Sequence, residues 1–261
     1  MIHRRLFAKG IKYYFILPHN TGHGIHSPYL FRLIHEVFAK DIDTNVLRKI
    51  EIYRHNLLIN GKKVNTLDLG ARSNNKKAVK KISNIADRES VSSHYGNLLF
   101  NLVSEYKSEV VLELGTSLGI GTLYLALANP KAKIYTIEGS IEKANLASSM
   151  LSEVVANVEV ITGNFDNKLS EVLKITGKVD LAFIDGNHQK ESTLLYFEEI
   201  LKYSHENTVM VFDDINWSPG MMDAWLEIQQ HPKVRVCLDL FRLGIVLINP
   251  KLQKENFTIF Y

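Results

Sequence analysis

From residue 108 to residue 248, short apolar runs alternate with amphipathic stretches, and no other feature of the chain narrows its fold as much. Val110-Val111-Leu112, Lys133 to Ile137, Val158 to Thr162, Val179 to Ile184 and Val209 to Phe212 read as five strands. The segments between them carry helical apolar spacing through Leu123 to Leu127, Ile141 to Met150, Leu169 to Ile175 and Ser192 to Leu201, and Pro219 to Gln229 follows the fifth strand. Repeated strand–helix alternation builds a parallel sheet with helices on both faces. Val234 to Leu238 and Ile245 to Ile248 are strands with only a short turn between them. Parallel partners need a longer crossover, so this pair predicts an antiparallel hairpin at the sheet edge.

The chain changes character near residue 90, which predicts a helical N-terminal region over 1–90 and an α/β domain over 91–261. Ser27-Pro28 reads as an N-cap followed by proline at the first helical position. Ile34, Val37 and Phe38 give an apolar stripe running to about Lys40. A polar stretch from Ala71 to Lys81 precedes another helix, Val91 to Tyr106. Residues 1–100 hold 17 Lys+Arg against 7 Asp+Glu, a net of +10, whereas the remainder nets −7. Such asymmetry suits either a basic face for an acidic partner or a solvated helical face. The single cysteine, Cys237, excludes an intramolecular disulfide framework and reads as core on its strand. No apolar run approaches the roughly 18 residues needed to span a bilayer. Tyr13 to Leu17 is too short for a signal-peptide core, so the expected location is cytoplasmic.

The first strand ends in Glu113-Leu114-Gly115-Thr116-Ser117-Leu118-Gly119-Ile120-Gly121, at the start of a helix. Glycines here let backbone approach a ligand, and the helix N-terminus offers unpaired N–H groups. Glu138 ends the second strand, where a carboxylate can accept two ribose hydroxyls. The spacing Gly-x-x-x-Gly-x-Gly differs from the Gly-x-Gly-x-x-Gly of dinucleotide sites, which disfavours a nicotinamide oxidoreductase.

On these residues the stretch from about Ser92 to Ile248 resembles the class I S-adenosylmethionine-dependent methyltransferases, in particular the catechol-type O-methyltransferases. The resemblance implies a Rossmann-like, seven-stranded, mostly parallel sheet of order 3-2-1-4-5-7-6 with strand 7 antiparallel. It implies cofactor contacts from Glu113, Gly115, Thr116, Ser117, Gly119 and Gly121, with Glu138 on the ribose and Asn164 and Phe165 near adenine. Ser117 stands where many class I members have glycine. His94-Tyr95-Gly96 resembles the segment that closes over the cofactor's carboxylate.

Asp185 follows the fourth strand and Asp213-Asp214 the fifth, so three carboxylates converge on the edge where open α/β sheets bind ligands. Such oxygens suit Mg²⁺ or another divalent cation. The resemblance assigns the metal to Asp185, Asp213 and Asp214, the last replacing the family's Asn. It also places Asp185 beside the cofactor and the reaction, with His188 as the base that takes the acceptor's proton.

Trp217, Met221, Met222 and Trp225 fit either an acceptor wall or a helical core stripe. His19, His23 and His26 have zinc-like spacing without a Cys or acidic partner. Leu67-Asp68-Leu69-Gly70-Ala71 echoes the glycine motif but lacks a helix to follow it. The expected activity is methylation of a small-molecule hydroxyl, with a homodimer as a compatible assembly. The alternatives are an RNA or tRNA methyltransferase using the basic N-terminal region as a nucleic-acid surface, and a non-catalytic cofactor-binding protein.

Overall fold

The computed structural model describes residues 27–67 and 77–261. The histidine group at 19–26 and all of the glycine echo after Leu67 lie outside the described residues. Ser27 caps the first helix, α1 (Pro28–Arg32), by accepting from the Leu30 amide with Pro28 at the first turn. The helix continues as a wider turn, Leu33–Val37, whose Leu33, Ile34 and Val37 are buried. Asp43 caps α2 (Thr44–Leu58), accepting from the amides of Asn45 and Val46.

The N-terminal region is not wholly helical. β1 (Lys63–Leu67) and β2 (Lys77–Lys81) pair antiparallel, so part of the polar stretch expected between residues 71 and 81 is a strand. The sequence hid this pair because neither segment alternates apolar and polar residues as a half-buried strand does. α3 (Ile82–Arg88) and α4 (Ser93–Tyr106) follow.

β3 (Val110–Leu114), β4 (Lys133–Glu138), β5 (Val158–Thr162), β6 (Val179–Ile184) and β7 (Ser204–Phe212) run parallel. Their crossovers are α5 (Ile120–Ala128), α6 (Ile141–Ser152), α7 (Phe165–Thr176) and α8 (Lys190–Leu201). α9 (Pro219–Gln230) leads to the hairpin of β8 (Val236–Leu240) and β9 (Leu243–Leu247). β9 is antiparallel to both neighbours, β7 and β8. Every residue of β6 is buried, as expected of a central strand covered on both faces.

The sheet has eight strands, one more than the sequence predicts: β10-β8-β9-β7-β6-β3-β4-β5. The other seven keep the expected order. The eighth, β10 (Glu255–Thr258), pairs parallel with β8 and takes the edge position that the hairpin was expected to hold. Glu-Asn-Phe-Thr contains one apolar residue, so its pairing carried no hydrophobic signal.

Leu30, Leu33, Val37, Ile50, Tyr53 and Leu57 share one continuous core with Leu98, Leu102, Val111, Leu123 and Ile134. The helices before residue 60 therefore pack onto the helices that cover this face of the sheet. Cys237 is buried in the opposite core, as its strand position predicts, and burial pushes its thiol up to about 12.

Candidate active site

The strand order reverses at β3, whose neighbours β4 and β6 send their chains to opposite sides. In open α/β sheets, ligands bind in the crevice at the C-terminal strand ends beside such a point. A cleft of about 650 Å³ opens there. Gly115 is at φ +111°, and a Cβ on it would fall 1.9 Å from the Asp185 carbonyl oxygen. Only glycine allows the loops after β3 and β6 to touch in this way.

Two residues further on, Ser117 is at φ +48°. Glycine adopts that left-handed geometry with least strain, and a serine here carries it at a cost. The Ser117 amide donates to Glu138 Oε2 at 2.8 Å, and the Ser140 amide to Oε1 at 2.9 Å. Each carboxylate oxygen thus holds one backbone donor and keeps acceptor capacity toward the cleft. Asn164 caps α7 through the Asp166 amide, and both Asn164 and Phe165 line the cleft. The Phe165 ring stands edge-on to Tyr196, and a Cβ on Gly186 would meet it at 2.5 Å.

Other motif residues sit behind this surface. Glu113 is 1% exposed, and its Oε2 accepts from the hydroxyls of Thr122 at 2.5 Å and Thr136 at 2.6 Å. Burial, opposed by those hydroxyls, raises its carboxyl to about 7. Thr116 is also buried and bonds Thr136. Gly119 faces the Tyr53 hydroxyl and Leu151, and Tyr53 donates to the Leu118 carbonyl at 2.8 Å. Gly121 faces Glu113 Oε1. A narrow crevice of about 10 Å³ joins Glu113, Thr116 and Gly121 to Gly115, Ser117 and Asp185.

His94, Tyr95 and Gly96 do not line the main cleft. Gly96 packs against the Tyr124 ring. His94 stacks on Tyr261 at 4.1 Å and borders a separate cavity of about 450 Å³ with Phe38.

The other end of the cleft is built from side chains. Of the six non-glycine residues with positive φ among the described residues, Ser117, Asn187, His188 and Asp214 line the cleft, and Phe241 precedes Arg242. Such clustering of uncommon backbone geometry is a feature of functional sites. Asn187 donates to the Tyr196 hydroxyl, which donates to Asp166 at 2.6 Å, pinning the loop. His188 Nε2 lies 3.7 Å from Asp185 Oδ1 and 3.9 Å from Asp214 Oδ2. Loss of water contact and the adjacent carboxylates of Asp213 and Asp214 push the Asp185 carboxyl well above its usual range. Asp214 is raised by burial and by Asp213, with His188 and Arg242 opposing.

Asp185, Asp213 and Asp214 do converge, but they do not fit the divalent cation expected for them. Arg242 takes the 2%-exposed Asp213 in a two-pronged pair, Nε to Oδ1 at 2.9 Å and Nη2 to Oδ2 at 2.8 Å. The Asp214 amide also donates to Oδ1 of Asp213 at 2.8 Å. Those oxygens are committed to protein donors, and a cation placed there would face a guanidinium. Among the described residues no group of three His, Cys, Asp or Glu side chains has the geometry to hold a metal.

Arg242 is the site residue that sequence reasoning missed. It lies on a hairpin turn 29 residues after Asp213, with no local motif to mark it. The indole of Trp217 reaches the cleft, while Met221 and Trp225 are core, so that group divides between the two readings. Lys80, Arg88 and Lys143 add a basic rim, with Glu89 bridging Lys80 at 2.6 Å and Lys143 at 2.9 Å.

A reversed parallel sheet, a glycine turn at its centre and an acidic end to the neighbouring strand make a doubly wound α/β fold with a ligand cleft at the switch point. The comparisons agree: residues 112–215 match the methyltransferase domain family. A catechol O-methyltransferase of Mycobacterium tuberculosis is 30% identical over 138 residues, 52% of this chain and 61% of that protein. One from Niastella koreensis is 29% identical over 130 residues, 48% of this chain and 58% of that protein. The chain thus matches about three fifths of the length of these relatives. Among solved structures, the O-methyltransferase TomG from Streptomyces achromogenes, in complex with S-adenosylmethionine, is 25% identical. That match covers 61% of this chain and 82% of that one, with a TM-score of 0.54. An O-methyltransferase from Bacillus cereus, in complex with S-adenosylhomocysteine, has the same fold at 22% identity and a TM-score of 0.54, over 80% of this chain and 93% of that one. Residues 112–215 are thus similar to the methyltransferase domain family, and the sheet has the fold of these solved O-methyltransferases.

Proposed function

We propose that the protein transfers a methyl group from S-adenosylmethionine to the hydroxyl oxygen of a small-molecule acceptor. The observation that carries this reading is one continuous cleft with a backbone-held carboxylate, Glu138, at one end and His188 at the other. When bound, the cofactor supplies an electrophilic methyl group. Glu138 accepts the ribose hydroxyls, the loop at Gly115 and Ser117 admits the backbone to close approach, and Asn164 and Phe165 border the base. His188 Nε2 takes the acceptor's hydroxyl proton as the O–CH₃ bond forms and the S–CH₃ bond breaks. Holding oxygen and methyl in line supplies much of the acceleration. The region before residue 91 covers the cleft and shapes acceptor choice, a reading supported by Thr66, Lys80 and Arg88 at its rim.

Calorimetry with S-adenosylhomocysteine tests the cofactor end. Glu138→Ala should weaken binding by about 1.5–3 kcal/mol, the range for charge-assisted hydrogen bonds. A wild-type protein that binds NAD or ATP tightly and S-adenosylhomocysteine not at all would overturn the reading.

A further inference from the structure

We infer that Arg242 occupies the cation position of this site, so that a guanidinium, not a divalent metal, faces the acceptor oxygen. The inference rests on the methyl-transfer reading above and concerns the charge at the acceptor end of the same cleft.

The placement begins with topology. β9 runs antiparallel to β7, so the turn joining β8 to β9 returns to the edge where β6 and β7 end. Arg242 sits on that turn. The Phe241 amide donates to Asp239 Oδ1 at 2.9 Å, and the Arg242 amide to the Leu240 carbonyl at 2.8 Å. The Ile215 amide then donates to the Arg242 carbonyl at 3.1 Å, and Asn216 Nδ2 to the Phe241 carbonyl at 2.5 Å. Bonds to both strands' loops fix the backbone from which the guanidinium projects.

The side chain is held as firmly. Two parallel bonds to Asp213 set its plane, and Nε also lies 3.6 Å from Asp214 Oδ1. The Tyr95 ring lies 5.8 Å from the guanidinium carbon, a cation–π contact. The pair with Asp213 uses one edge of the fork. The remaining guanidinium nitrogen, Nη1, has no hydrogen-bond partner among the described residues, and Arg242 lines the cleft with Asp185, His188, Asp214 and Trp217. A guanidinium fixed on one edge and open on the other is a preorganised donor for an oxygen that gains negative charge as its proton leaves. This is a service a metal ion performs in a metal-assisted site. Here it comes from the chain, and the same side chain fills the carboxylate that a metal would need.

The test begins with a metal titration of the full-length wild-type protein carrying S-adenosylhomocysteine. Electron paramagnetic resonance should show the free Mn²⁺ signal undiminished up to about 1 mM, the weak end of protein sites for hard cations. With catechol as the probe acceptor, transfer should be the same in EDTA as in Mg²⁺. Arg242→Gln should gain a saturable Mn²⁺ site that a second change, Asp213→Asn, removes. The single variant should lose about a hundredfold in transfer, the scale of removing one oxyanion donor, and keep its S-adenosylhomocysteine affinity. Arg242→Lys should retain part of the rate and bind no Mn²⁺.

One-to-one Mn²⁺ binding by the wild type would overturn the inference, as would transfer that collapses in EDTA and returns with Mg²⁺. A folded Arg242→Gln protein with full metal-free transfer would do the same. If that variant does not fold, the wild-type titration decides alone. Failure of the wild type to bind S-adenosylhomocysteine would instead count against the methyl-transfer reading and leave the Mn²⁺ result to stand for itself.

Discussion

The two ends of the cleft are made of different materials. The end beside β3, β4 and β5 is mostly backbone: a glycine at φ +111°, a serine at φ +48°, and two amides that fix the Glu138 carboxylate. The end beside β6, β7 and β9 is mostly side chain: His188 between two aspartates, and Asp213 held by Arg242. Backbone surfaces come from short contiguous segments and recognise a ligand shared by a whole fold class. Side-chain surfaces are assembled across the sheet, and each member can change without altering the strands. In the proposed function the first end would meet the cofactor and the second the acceptor.

The sharpest way to break this division is at the one place where the halves touch. Gly115→Ala would drive a Cβ into the Asp185 carbonyl oxygen and force a left-handed residue to carry a side chain. Overpacking and backbone strain together predict a loss of about 3 kcal/mol or more in a urea titration. A fall in S-adenosylhomocysteine affinity should accompany it. Normal stability would mean the two loops are not in contact.

A smaller effect separates the lined surface from its support. Glu113 is raised to about 7 in the folded protein, above the ordinary carboxylate range of the unfolded chain. The folded state therefore holds its proton more tightly, and the stability this contributes is complete below about pH 4.3 and lost as pH rises through about 7. Glu113→Gln should remove that loss, on the order of 3 kcal/mol by pH 8. Melting temperatures of the two proteins should therefore differ more at pH 8 than at pH 5. Parallel curves would show that the carboxyl is ordinary.

The smallest effect tests the backbone half alone. Ser117→Gly relieves a left-handed residue but adds freedom to the unfolded chain, so it should stabilise by no more than about 1 kcal/mol. Chemical unfolding would detect this. Destabilisation beyond that amount would show that the serine hydroxyl is needed where it is buried.

What could be read in the sequence follows the same division. The strands, the glycine turn, Glu138 and the turn at Asn164–Phe165 are local, and each pairs a residue pattern with a backbone requirement. Asp185, Asp213 and Asp214 were legible because they follow strand ends, and topology alone brings such positions to one edge. The guanidinium that pairs with Asp213 was not legible. Arg242 belongs to the cluster through a hairpin turn that, in one dimension, looks like a connection. His94-Tyr95-Gly96 matched a familiar string, yet Tyr95 lies under Arg242 and Gly96 against Tyr124. β10 was invisible because its pairing is satisfied by backbone bonds and asks little of its side chains.

The contact between Gly115 and Asp185 has one further consequence. In the proposed function this contact would be a wall between cofactor and acceptor compartments, and with no side chain in it a shift for one occupant would carry to the other. Any preference that a filled nucleoside compartment imposes on the 185–188 loop must be returned in equal measure by a filled acceptor compartment, because linked equilibria are reciprocal. Under the proposed function, cofactor and acceptor would lie on either side of this single peptide plane.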